Sequence, residues 1–497
     1  MTVSSNPSAP QEVSSATISA QAFATPLEID GSCRQSLLLL LVSAAFWLAL
    51  GSVLGLLATL QLNFPQMLAG YSVMTYGHLR PAAEHAVLYG FASQGAYGIM
   101  VWMMCRLGRV TLCCEYPLIV AGIFWNVGVI IGFCCILGGL NTGFTWLEFP
   151  RYAVPFLFLA QLLIGISVIY TFYFRNERNV YPSQWYLLGA AFWFPWIYSA
   201  ANLLLLLWPV RGVFQAVVNA WFINNFLYLW LGSVALASIY YFIPKLMERP
   251  LANRNAAAFS FWIYAFVTTF SGLTQLIGGP VPAWMVSLGI AANLLLAVPL
   301  LGMVINWWQT MRGGNCERAR KNITFPFTFF AAIAFLLAGV LQIVFATRAG
   351  GTLAQFTYAR AGLEVLFIYG FVGLALIGAI YYVLPRVANL NWPSAGMVKL
   401  HLGATVAGTS IAAVSLLIAG LVQGGQINSA AVPFHEIVSA TSIWVGLANL
   451  GGLLIAVGQV AFFLNVFKLA FQYSHPFRKT AFNFVTGAPA NRVEVRP

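Results

Sequence analysis

The chain is short of charge. Only 7% of its 497 residues are Asp, Glu, Lys or Arg, while 60% are hydrophobic. Soluble domains carry about 25% charged residues, so a water-soluble globule is excluded. The alternative is a lipid-embedded helix bundle, because each apolar run reaches the ~20 residues that cross a hydrocarbon core of about 30 Å. Histidine is also scarce, with five in all: His78, His85, His401, His435 and His475. The seven cysteines form no C-x-x-C-H and no zinc spacing, which excludes covalent c-type haem attachment and a zinc-ribbon reading. Cys134 and Cys135 fall inside an apolar run and are expected to act as small core residues. No phosphate loop, nucleophile–base pair or dinucleotide fingerprint occurs. The net charge of +12 does not make a nucleic-acid binder, since the charges sit in short loops and form no basic face.

What is there is a set of twelve apolar runs. They cover 36–60, 82–105, 116–139, 152–174, 185–208, 215–243, 256–277, 282–307, 323–346, 360–384, 397–421 and 437–467. Residues 1–35 are rich in Ser and Ala without periodicity and are expected to form a disordered cytoplasmic tail. Residues 36–470 make the membrane domain, and 471–497 a cytoplasmic C-terminal tail. No Lys or Arg precedes Arg34, so a signal peptide with a basic start is not expected. With the N-terminus placed in the cytoplasm, nineteen of the 24 basic residues fall inside. Arg80, Arg151, Arg211, Arg348 and Arg360 fall outside. That asymmetry favours twelve spans with both termini cytoplasmic.

A weak internal repeat runs through the spans. Residues 239–245 read IYYFIPK, 380–386 read IYYVLPR, and 101–106 read VWMMCR, a looser version. Spacing of four helices would suit three arcs of four helices. Aromatic residues, proline and a cation are equally a common way to end a helix at a membrane interface. The sixth run begins WFINN, and its adjacent amides Asn224 and Asn225 demand partners inside a membrane.

Several segments resemble subunit I of the cbb(3)-type, or C-type, haem–copper cytochrome c oxidases. YGHLRPAAEHAVLYGF (76–91) is similar to that family's G-R-x-R-P-x-H-x-N segment. WFINN…YYFIPK is similar to its W-[WFY]-x-H-N…YYFVPK. FSGLTQLIGGPVPAW (270–284) is similar to its seventh-helix x-A-G-x-H-H-L segment, and ARAGLEVLFIYGFVGLALIGAIYYVLPR (359–386) to its tenth-helix G-H-x-H…YY-[LI]-VP-[KR]. The resemblance covers residues 36 to about 470. It implies an all-α polytopic membrane protein of twelve transmembrane helices in three four-helix arcs, in a bacterial inner membrane. It also implies a respiratory setting beside membrane-anchored cytochrome c.

In that family six histidines hold two haems b and a copper ion, since imidazole donates a lone pair to iron and copper. Carried across, the haem-ligand positions are Ala83, Leu363 and Val365. The copper-ligand positions are Asn224, Thr274 and Gln275, and the family's site tyrosine falls on Thr268. None is an imidazole, and no histidine lies on the sixth, seventh or tenth helix. His85 sits two residues past Ala83, about 200° round the helix, and so aims at the opposite face. The resemblance thus implies a subunit I-like protein without haem, copper or other metal, with no catalytic residue, acting as a partner or scaffold.

The remaining intramembrane ionisable residues are Glu84, His85 and Glu364, with Arg360 one turn before Glu364 as its expected partner. Glu84 and Glu364 flank the two low-spin haem positions and are expected to link the second and tenth helices. Two further readings stand beside the scaffold: an ion or proton conduit through the vacated pocket, and a redox enzyme with non-standard haem ligation. His401, in KLHLGA, is expected to be structural.

Overall fold

The computed structural model describes residues 23–486. They are helical nearly throughout, with no strand among the described residues. Eleven helices are long and apolar enough to cross a membrane, and they coincide with eleven of the twelve expected runs. The other run, 82–105, lies in a continuous helical stretch over 76–108. Every residue from 85 to 105 is buried. Tyr89, Ser93, Gln94 and Tyr97 keep this stretch less apolar, and the protein interior receives some of them. Tyr89 Oη donates to the Trp146 carbonyl at 2.7 Å, and Gln94 Nε2 to the Gly90 carbonyl at 2.8 Å. Counted with it, the long helices number twelve among the described residues, and the ordinals below follow chain order.

The second, sixth and tenth helices form the centre. In the sixth (Phe214–Leu246) 94% of the most apolar stretch is buried, and in the tenth (Tyr358–Ala388) 72%, against 33–61% in the other apolar spans. A helix apolar all round can face protein or lipid, so burial rather than hydropathy separates these core helices. All three widen into π-type turns midway, at Ala86–Ser93, Asn225–Leu231 and Leu366–Gly373. These runs start 139 and 141 residues apart, the same intervals that separate Arg106, Lys245 and Arg386. The repeat read from helix ends therefore extends through the helix bodies. A shorter run of the same kind, Leu203–Leu207, ends the fifth helix outside this register.

The repeated cations meet at one end of the bundle. Lys245 Nζ lies 4.8 Å from the Tyr241 ring and 5.4 Å from the Tyr382 ring, and the Arg386 guanidinium lies 3.4 Å from Tyr382. Asp30 accepts from Trp102 Nε1 at 2.8 Å and stands 3.8 Å from Arg106. Asp30 belongs to a short helix, Pro26–Ser32, started by a capping box between Thr25 and Glu28. Residues 26–35, expected in a disordered tail, are thus ordered, because a cap and a buried carboxylate outweigh the local composition. Residues 1–22 lie outside the described residues. The last helix runs Phe434–Thr486, well past residue 470, and 487–497 lie outside the described residues.

The cysteine expectation is corrected. Cys134 is exposed and Cys135 half-buried, whereas Cys33 and Cys105 are buried with their sulfurs 3.8 Å apart. The third helix is apolar on all sides, so its pattern does not tell a lipid-facing from a protein-facing position. His401 Nδ1 accepts a hydrogen bond from Tyr381 Oη at 2.9 Å and its Nε2 donates one to Gln459 Oε1 at 3.1 Å, joining the last three helices, as expected of a structural residue.

Candidate functional site

The first turns of the second helix carry a run of polar groups. Arg80 Nε donates to Glu84 Oε1 at 2.8 Å, and Arg80 Nη1 to Tyr76 Oη at 2.8 Å. Trp146, from the loop after the third helix, donates to Glu84 Oε2 at 3.1 Å. Glu84 is therefore held by its own helix and this loop rather than by the tenth helix.

His85 points elsewhere, as the helical turn dictates. Its Nδ1 lies 2.9 Å from the Pro81 carbonyl. A carbonyl only accepts, so Nδ1 carries the proton and Nε2 the lone pair. Nε2 faces Glu148 Oε2 at 3.3 Å. The ring stacks on Tyr89, with centroids 5.2 Å apart, and packs against Phe149 at 4.4 Å. In the loop, burial first and the Glu84 carboxylate second push the Glu148 carboxyl up to about 8. The protonated carboxyl at neutral pH is the group that can donate to His85 Nε2. Glu148 escaped sequence reasoning because an acid in a loop is ordinary; its apolar neighbours in WLEFP were the only sign.

A cavity of about 220 Å³ lies between the first, second, tenth, eleventh and twelfth helices, and Ala83, Glu84, Glu364 and Val365 all line it. His85 and Leu363 are not in its wall. An adjoining space of about 310 Å³ shares Arg80, Tyr358, Ala361 and Glu364 with it and adds Arg360 and Gln423. Arg360 does not take Glu364 as a hydrogen-bond partner. Its Nη1 donates to Gln342 Oε1 at 3.4 Å, while Nε and Nη2 are buried with no partner.

The sixth and seventh helices meet differently. Asn224 is fully buried; its Nδ2 donates to the Thr268 carbonyl at 2.7 Å, and Ser271 Oγ donates to its Oδ1 at 2.9 Å. A Cβ on Gly272 would lie only 2.5 Å from Asn224 Cβ, so the two helices touch here through a glycine. Thr274 Oγ1 donates to the Ser271 carbonyl at 3.0 Å, and the Gln275 carbonyl accepts from Gln355. Asn225 donates to the Trp221 carbonyl of its own helix at 2.8 Å. Asn293 on the eighth helix donates to the Ser271 carbonyl, and Gln342 on the ninth donates to Asn293 Oδ1 at 3.0 Å. This amide chain, Asn224 to Gln342 to Arg360, unites residues that sequence reasoning treated separately. Asn293 and Gln342 were missed, although a lone amide in an apolar run was the available signal.

Residues 35–454 match the family model described as cytochrome C and quinol oxidase polypeptide I. The chain belongs to that subunit I family. Cbb3-type cytochrome c oxidase subunit CcoN1 of Stutzerimonas stutzeri is 23% identical over 447 residues, covering 86% of this chain and 93% of the relative. A cytochrome c oxidase subunit 1 homolog of Azorhizobium caulinodans is 22% identical over 462 residues, 89% of this chain and 83% of the relative. A solved haem–copper terminal oxidase dimer shares the fold, with a TM-score of 0.72 at 14% identity over 90% of this chain and 84% of that one. As a family member, this oxidase subunit I-like chain is a multi-pass membrane protein.

Proposed function

We propose that the chain is a haem- and copper-free member of the subunit I family, acting as a non-catalytic partner or scaffold in a respiratory complex. It sits in a bacterial inner membrane with both termini cytoplasmic, beside a membrane-anchored cytochrome c. One observation carries this reading: the residues at the family's ligand positions do not fit haem or copper. Ala83, Leu363 and Val365 have no donor atom. Asn224, Thr274 and Gln275 offer neutral oxygens, poor partners for copper. Both ends of the Asn224 amide are engaged with the seventh helix. No redox step follows from such a site.

The setting comes from relatives named as cytochrome c oxidase subunits. An affinity-tagged full chain, isolated from native membranes in mild detergent, tests it. The expected result is co-elution of a polypeptide that stains for covalent haem. Isolation of the chain alone, with no cytochrome c partner under conditions that preserve an intact oxidase, would overturn the scaffold reading.

A further inference from the structure

The turn from the eighth helix (Ala283–Arg312) into the ninth (Thr324–Ala346) reads RGGNCERARK over 312–321, four cations against the single carboxylate Glu317. It lies at the end of the bundle that carries Lys245. Asn315 N donates to the Met247 carbonyl at 3.3 Å, and Arg318 pairs with Glu248 at 3.0 Å. Beside this turn, between the two helices, is a cleft of about 380 Å³. We infer that the cleft binds an anionic phospholipid, its phosphate held by Arg312 and Arg320 and its acyl chains laid over Trp308, Phe329 and Phe330.

Depth and lining set the apolar part of the ligand. Trp308 stands one turn before Arg312, and Phe329 and Phe330 stand in the first two turns of the ninth helix. All three are within about 9 Å of their helix ends along the axis. They line the cleft and are exposed, Trp308 at 59%. Aromatic side chains at this depth mark the boundary between head groups and hydrocarbon. An apolar cavity of about 150 Å³ already takes benzene, so 380 Å³ accommodates the first carbons of an acyl chain beside a head group.

Charge sets the head. The wall of the cleft holds Arg312 and Arg320 and no carboxylate. Among the described residues neither guanidinium belongs to an ion pair, and the nearby Glu248 is taken by Arg318. The turn that presents them is held against the end of the sixth helix, where a Cβ at Gly314 would lie 2.7 Å from Met247 Cβ. A phosphodiester offers two free oxygens to such donors, and the guanidinium fork matches them. A net-negative head group compensates the two cations, whereas a choline head brings a cation of its own and leaves them uncompensated. Basic pockets between membrane helices select anionic lipid on this ground.

The test is native mass spectrometry of the full chain in a neutral detergent, counting bound lipid as dioleoyl phosphatidylglycerol or dioleoyl phosphatidylcholine is titrated. Phosphatidylglycerol is expected to fill one tight site per chain, about tenfold or more ahead of phosphatidylcholine. Arg312→Gln combined with Arg320→Gln is expected to remove that preference, and Trp308→Ala to weaken both lipids several-fold. Arg178→Gln is expected to change neither; it alters an exposed cation at the same end, in the turn between the fourth and fifth helices. Melting temperature shows whether each variant folds; should the double variant not fold, the head-group comparison and Arg320→Gln alone still decide. Equal binding of the two lipids, a preference that survives the double variant or falls as much in Arg178→Gln, or indifference to Trp308→Ala each overturns the site. Glycerol 3-phosphate that displaces phosphatidylglycerol at comparable concentration makes the occupant a free phosphate, and a lipid-free dimer that the double variant dissolves makes it a second copy of the chain; either overturns the lipid. Haem content does not enter this readout, so its failure leaves the haem-free reading untouched.

Discussion

Asn224 does at residue scale what a metal ligand would do between the same helices: it ties the sixth to the seventh. Asn224→Ala would remove the amide that bonds the Thr268 carbonyl and the Ser271 hydroxyl in a buried site, leaving those two only their mutual 2.9 Å hydrogen bond. The expected cost is about 1–3 kcal/mol, read as a lower melting temperature in detergent. Gly272→Ala should cost at least as much, because its Cβ would lie 2.5 Å from Asn224 Cβ and 2.9 Å from the Ala220 carbonyl. Glu148 gives a pH-dependent case. Burial holds its carboxyl at about 8 in the fold, above the ordinary carboxyl value of 4.5. Between those values the folded chain holds more protons than the unfolded chain, so stability falls as pH rises. The contribution is complete below 4.5 and lost above about 8. The melting temperature is therefore expected to drop between pH 6 and pH 9, and Glu148→Gln to flatten that drop; an unchanged slope in the variant would show that Glu148 is not the group responsible. Sequence alone marked Asn224 and Asn225 as amides in need of partners. It could not name the partner, since a backbone carbonyl facing a neighbouring helix leaves no trace in composition. Arg360 shows the same limit: its spacing from Glu364 was legible, but its hydrogen bond to Gln342 on another helix was not.

At the scale of elements, the apolar pattern located twelve spans, and only the second, diluted by its own buried polar side chains, falls outside the eleven helices long and apolar enough to cross a membrane. What hydropathy did not show is which side of each helix meets protein, as Cys134 illustrates. Small residues answer that question locally. On the eleventh helix a Cβ at Gly408 would lie 2.6 Å from the Gly451 carbonyl of the twelfth, and one at Gly451 would lie 2.6 Å from Ala412 N. Gly403, on the same helix, has nothing within 4 Å of its Cβ position. Gly408→Val is expected to push the two helices apart and lower the melting temperature by several degrees, whereas Gly403→Val should change it by at most about 2 °C. Equal effects at the two positions would contradict the packing described. The π-type turns of the second, sixth and tenth helices were invisible in sequence because no residue type specifies them; only the constant interval to the cation at each helix end ties them together.

At the scale of the whole molecule, the family's twelve-helix frame holds two regions that pack differently. One is closed by an amide network, and the other keeps a cavity beside Arg80, Glu84 and Glu364. The frame was legible from charge placement and span length, and the proposal that the ligands are missing starts from a count of five histidines. The asymmetry between the two regions needed coordinates, since it depends on how closely neighbouring helices pack there. The most direct measurement is a pyridine haemochromogen assay with elemental iron and copper analysis on the purified full-length chain, expressed in a host that fills an intact oxidase. The account predicts far less than one haem, iron or copper per polypeptide. Stoichiometric haem, or copper at one per chain, would contradict it.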